Sequence, residues 1–111
     1  MPNPTRRDAL RITAGAAVAL PMMATTAVAA THTVTIQNFA FNPANLTISA
    51  GDTVTWINAD STQHSALDLG GAFDTNLINP GASASLTFNG RGTFNYRCGP
   101  HQNMRGSITI T

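Results

Sequence analysis

The sequence holds 111 residues, six of them basic and five acidic, for a formal charge of +1, and 42% of it is hydrophobic. That length accommodates one domain and an appendage. The near-balance of charge leaves no basic stripe for a nucleic acid, and a single cysteine excludes an internal disulfide.

The appendage comes first. Thr5-Arg6-Arg7-Asp8-Ala9-Leu10-Arg11 is followed by an uncharged, Ala-rich run from Ile12 to Ala30, broken by Pro21 and containing the small-residue pattern Ala27-Val28-Ala29. A charged start, an apolar middle and a small-residue end mark a secretory leader. The paired arginines look like a twin-arginine export signal, which is an address and not an anchor. Residues 1–29 are therefore expected to be an export signal peptide. The domain over 30–111 is expected in the periplasm, with no membrane insertion after cleavage. The leader carries +2, from Arg6, Arg7 and Arg11 against Asp8, so the rest of the chain has a net charge of −1. Such a domain exerts little long-range steering on a charged partner. At roughly 80 residues its core is small and its stability margin narrow.

Beyond the leader, short alternating segments are separated by turn residues, and no stretch has a helical period. Val34 and Ile36 alternate with Thr33 and Thr35, the pattern of a half-buried strand. Phe39-Ala40-Phe41-Asn42-Pro43 breaks it, and Leu46 and Ile48 resume on the next strand. Ala50-Gly51-Asp52 reads as a turn, and Val54 and Trp56 alternate with threonines. The polar stretch from Asn58 to Gln63 reads as a loop that delivers His64. A strand over 65–69, a turn at Gly70-Gly71 and an irregular segment anchored by Phe73, Leu77 and Ile78 lead to the turn Asn79-Pro80-Gly81. Ala82, Ala84, Leu86 and Phe88 then share one face, and Asn89-Gly90 opens a tight connection. Phe94, Tyr96 and Cys98 share a face of the next strand, and Ile108 and Ile110 mark the last. Seven to eight short strands at regular spacing predict an all-β, antiparallel Greek-key β-sandwich.

Chemistry gathers in Cys98-Gly99-Pro100-His101-Gln102-Asn103-Met104. Cys98 is the sole cysteine, and Met104 is the sole methionine outside the leader. Alone, Cys98 would read as a small buried hydrophobe. With His101 and Met104 at its spacing, and His64 brought to the same pole from across the sandwich, the set becomes two imidazoles, one thiolate and one thioether. That is the His2Cys trigonal arrangement with a weak axial Met that blue-copper electron-transfer sites use. The predicted metal ligands are thus His64, Cys98, His101 and Met104, around one type 1 copper ion. His32 lies where a mature N-terminus would fray and reads as solvated. The four scattered aspartates make no calcium site, and structural zinc sites rarely choose methionine.

The mature chain resembles a cupredoxin, closest to the small amicyanin and plastocyanin type. The resemblance rests on Asn38-Phe39-Ala40-Phe41-Asn42-Pro43, Gly51-Asp52-Thr53-Val54-Thr55-Trp56, His64, Gly92-Thr93-Phe94-Asn95-Tyr96-Arg97-Cys98 and the loop through Met104-Arg105-Gly106. It implies His64, Cys98 and His101 as equatorial ligands, Met104 as the axial one, and the exposed edge of His101 as the electron port. Two features depart from the family pattern. Ser65 and Gly99 stand where Asn and Ser or Thr often tie the ligand loops together, and Gln102 and Asn103 make the usually apolar rim polar.

The implied function is a monomeric one-electron carrier that docks transiently near His101 with a redox donor and an acceptor. A copper carrier or buffer that hands over the metal is the alternative. The chain is not expected to be an enzyme, since Arg97 and Gly99 flank Cys98 and the His-Cys-His wiring of a copper oxidase is absent.

Overall fold

The computed structural model describes residues 28–111. The expected leader, apart from its last two residues, lies outside them. Eight strands follow: β1 (Thr31–Gln37), β2 (Ala40–Asn42), β3 (Asn45–Ile48), β4 (Asp52–Asn58), β5 (Leu67–Asp68), β6 (Ser83–Phe88), β7 (Gly92–Arg97) and β8 (Arg105–Ile110). They form two four-stranded sheets, ordered β2-β1-β4-β6 and β3-β8-β7-β5.

The expected sandwich is present, and its sheets are mixed. β1 lies parallel to β4, with Val34 opposite Trp56, and β3 lies parallel to β8, with Ile48 opposite Ile110. The remaining pairings are antiparallel. Asn89-Gly90 does not close a hairpin: β6 and β7 belong to different sheets, so this connection crosses the sandwich. The strand expected over 65–69 shrinks to Leu67–Asp68, and Leu77 is 57% exposed where an apolar anchor was expected. Ile78 fills that role, buried and paired with His64.

The period-two pattern explains the two faces. Val34, Ile36, Val54, Trp56, Phe88, Tyr96, Ile108 and Ile110 point inward and are buried. The alternate positions carry hydroxyls that bond across strands, Thr53 to Thr87 at 2.8 Å and Thr55 to Ser85 at 2.7 Å. The outward face of the β4–β6 pair is thus satisfied without charge. At the centre Trp56 and Tyr96 meet edge to face, and the indole N–H donates to the Tyr96 hydroxyl at 3.4 Å. Phe73 and Phe88 close around them. Burial pushes the Tyr96 phenol up to about 12.

This order of strands sets the site. β4 ends at Asn58 in one sheet and releases the loop to His64, while β7 and β8 in the other are joined by residues 98–104. Both segments emerge at the same pole.

Candidate metal centre

The first loop is shaped by Asn58, which is fully buried. Its amide donates to the carbonyls of Thr62 at 2.8 Å and Ile78 at 2.9 Å, and its Oδ1 accepts the Asp60 N–H at 3.0 Å. A buried amide with every group paired fixes its surroundings. His64, also fully buried, then exchanges two backbone hydrogen bonds with Ile78.

The second loop closes on itself: Cys98 N–H donates to the Met104 carbonyl and Met104 N–H to the His101 carbonyl, both at 3.0 Å. Two arginines brace it from outside. Arg97 Nη1 donates to the Gly99 carbonyl at 3.1 Å, and Arg105 Nε donates to the Gln102 carbonyl at 2.7 Å. These arginines stand directly opposite one another across β7 and β8. Like charges so placed repel, and each side chain is turned to a loop carbonyl.

The loops bring three donor atoms together. His64 Nδ1 and His101 Nδ1 are 3.2 Å apart, and Cys98 Sγ lies 3.6 Å from the first and 3.5 Å from the second. A point equidistant from all three atoms is about 2 Å from each, the length of a metal–imidazole bond and close to that of a metal–thiolate bond. Cys98 is fully buried and His101 half-buried. Met104 is 4% exposed and lies in the same loop. The donor set fits a copper ion: two nitrogens and a soft thiolate in a triangle, with a thioether nearby in the chain.

Surrounding groups prepare these donors. Asp60 Oδ2 lies 2.9 Å from His64 Nε2. Hydrogen bonds from the Phe39 backbone, foremost, and from Asn38 and His64 hold its carboxyl below the usual range. An ionised carboxylate only accepts, so the His64 proton sits on Nε2 and Nδ1 offers its lone pair to the centre. The Ser65 N–H donates to Cys98 Sγ at 3.4 Å and so holds the sulfur in place. The Phe39 ring stands nearly perpendicular to both imidazoles, with ring centroids 4.9 Å from His64 and 5.0 Å from His101, while half of the residue stays exposed.

The sequence singled out all three converging residues. It did not point to Asp60, whose only signal is a carboxylate four residues before a histidine, nor to Phe39. Asn38 and Phe39 both adopt φ of 55°, and their N–H groups donate to Asp60 at 2.7 and 2.9 Å. A left-handed Phe is uncommon and has no pattern to betray it. The departure at Ser65 and Gly99 also resolves: the Ser65 hydroxyl accepts the Gly99 N–H at 2.9 Å, so the side chain at 65 ties the loops through the backbone at 99. His32 is not free in solvent. Its Nε2 lies 2.9 Å from the buried Asp52 carboxylate.

The fold and this donor set define a cupredoxin-type copper protein. Residues 28–111 match the family of copper binding proteins, plastocyanin/azurin family, and the chain belongs to it. It is 33% identical to an amicyanin of Paracoccus denitrificans over 82 residues, which covers 69% of this chain and 63% of that protein. It is 36% identical to a plastocyanin of Scenedesmus fuscus over 83 residues, covering 63% of this chain and 85% of that one. The chain thus spans less than two thirds of the length of the amicyanin and most of the plastocyanin. A solved structure of the Cu(I) form of an amicyanin point mutant superposes with a TM-score of 0.68 at 33% identity, covering 79% of this chain and 88% of its own. An oxidized amicyanin point mutant gives 0.69 at 29% identity, covering 72% and 81%.

Proposed function

We propose that this chain is exported to the periplasm, released from its leader after Ala29, and carries single electrons as a monomer on one type 1 copper ion held by His64, Cys98 and His101, with Met104 axial. The triangle of Nδ1, Nδ1 and Sγ carries this reading. Bound copper would supply the one-electron couple. The chain supplies a cage with little freedom to move: His64 pinned by Asp60 and Ile78, the Cys98 thiolate held by the Ser65 N–H, and the 98–104 loop braced by two arginines. Rigid donors keep the geometry alike in both oxidation states, which lowers the reorganisation that each transfer needs.

His101 is the least buried of the converging residues, so electrons enter and leave at its edge. Donor and acceptor proteins dock transiently there, against Phe39, Pro100, Gln102 and Asn103, which flank His101 in one shallow depression. The reading assigns no catalysis to the chain.

The test is the visible spectrum of the mature protein after Cu(II) is added, then after ascorbate and reoxidation. An intense blue band that bleaches and returns is expected, and Cys98→Ala should abolish it. A blue Cys98→Ala protein would refute the ligand assignment. The alternative, a carrier that hands copper over, needs loops that open. The bond between Ser65 and Gly99 ties them, which favours retention. Copper held against a chelator through many redox cycles is expected of the electron carrier, and release is expected of the donor.

A further inference from the structure

The pole opposite the ligand loops carries a second cluster. Asp52, 6% exposed, accepts the Ala30 N–H on Oδ1 at 2.9 Å, while its Oδ2 faces His32 Nε2 at 2.9 Å and the Ser49 N–H at 3.0 Å. The backbone nitrogen of Ala30 and the imidazole of His32 therefore converge on one carboxylate. Val28, Ala29 and Ala30 are exposed and precede the first strand, so the Ala29–Ala30 bond is open to a peptidase.

Cleavage there, as proposed above, makes Ala30 nitrogen an amino terminus and leaves Ala30-Thr31-His32 at the head of the chain. A histidine third from a free amine has a specific chemistry. The amine, the backbone nitrogens of the second and third residues and the imidazole Nδ1 form three fused chelate rings, and their four nitrogens make a square plane. That is the geometry Cu(II) prefers. We propose that the processed N-terminus is a second copper site, selective for Cu(II), made of the Ala30 amine, the Thr31 and His32 backbone nitrogens and His32 Nδ1, with Asp52 bringing the amine and the imidazole together.

The geometry leaves the required nitrogen available: His32 meets Asp52 through Nε2, so Nδ1 is not the atom that the carboxylate engages. The ion displaces the two backbone protons and any proton on the amine. Thr31 and His32 are the first two residues of β1, so the chelate gives up only the end of the ladder, including the bond from Thr53 N–H to the Ala30 carbonyl. Chain ends open at little cost. Deprotonated backbone nitrogens are hard, anionic donors that hold Cu(II) and disfavour Cu(I). The site is therefore redox-silent beside the blue centre, about 20 Å away by the length of β1.

The test uses the processed protein with its first copper in place. Its mass establishes where the leader is cut. A second equivalent of Cu(II) is then added, and copper per chain is measured after desalting, together with the electron paramagnetic resonance spectrum. Two coppers per chain are expected, the second with a tetragonal signal and no blue band. Acetylating the Ala30 amine, or His32→Ala, should return the count to one with the blue band unchanged. One copper per chain in the unmodified protein would overturn the site, as would an acetylated protein that still binds two. If the mass shows a different first residue, the cleavage assignment fails by itself, and a chain prepared to begin at Ala30 puts the chelate to the same measurement.

Discussion

The Ser65 hydroxyl accepts the Gly99 N–H at 2.9 Å and stands 2.8 Å from where a β-carbon on residue 99 would lie. The bond and the missing side chain require each other. A methyl group at 99 would drive the hydroxyl of Ser65, which is 3% exposed, away from the Gly99 N–H and so break this tie between the two loops. Gly99→Ala is therefore expected to cost about 1–3 kcal/mol through overpacking and the lost bond and to speed copper loss. Ser65→Ala leaves the N–H unpaired and costs about 1 kcal/mol. In the double variant the clash is gone, so its loss should fall below the sum of the single losses. Urea unfolding of the four proteins measures this, and strict additivity would refute the coupling.

Asp60 serves two structures at once. Its carboxylate takes the N–H groups of Asn38 and Phe39 and the Nε2 proton of His64. Asp60→Asn puts an NH2 group where only acceptors fit: on the Oδ1 side it faces the Asn38 N–H and on the Oδ2 side the Phe39 N–H and the His64 Nε2 proton. Part of this network is lost either way, and a neutral amide oxygen holds that proton less strongly than a carboxylate. Copper affinity is expected to fall roughly 10–100-fold, as for other partners of ligating histidines. The potential should rise, because His64 donates less strongly to Cu(II). A variant with unchanged potential and unchanged copper release would show that Asp60 does no more than shape the loop.

These two relationships mark the limit of what the sequence reveals. Val34, Ile36, Val54 and Trp56 announce their strands because one face is buried and the other wet, which is what a period of two records. Cys98, His101 and Met104 are legible because rare residue types are confined to seven positions. Strand partners are another matter. That β1 runs parallel to β4 depends on where the chain crosses between sheets, and alternation is blind to it. Asp60, Asn38 and Phe39 act through backbone N–H groups and left-handed dihedrals, which any polar loop could conceal. His32 looked solvated because its partner, Asp52, is 20 residues away in sequence and adjacent only once β1 and β4 lie side by side.

Acid should expose the Asp52 cluster. The Ala30 N–H, foremost, then His32 and the Ser49 N–H lower the Asp52 carboxyl from 3.8 to about 2. A carboxyl depressed in the folded state contributes stability that is fully present above its unfolded pKa and is lost as pH falls through the folded one. The loss attributable to Asp52 thus lies between about pH 4 and pH 2. Asp60 acts with the same sign. Thermal melts of Asp52→Asn and of the unsubstituted protein should be separated at neutral pH and converge towards pH 2. A constant separation across that window would show that the carboxylate contributes nothing through its charge.

Met104 offers the sharpest test of the proposed axial ligand. Its side chain is buried, while its backbone N–H and carbonyl close the 98–104 loop on His101 and Cys98. Met104→Gln keeps that backbone and the approximate side-chain volume, but it exchanges a soft sulfur for a harder amide oxygen. The axial ligand tunes the potential of such sites, and the harder donor stabilises Cu(II), so the potential should fall while copper and colour are kept. Burial adds a second readout. Without copper the new amide is desolvated with no partner, a cost of about 1–3 kcal/mol; with copper its oxygen has one. The variant's stability deficit should therefore be larger in the copper-free protein than in the loaded one. An equal deficit in both, with the potential unmoved, would mean that Met104 fills space beside the site and does not face the metal.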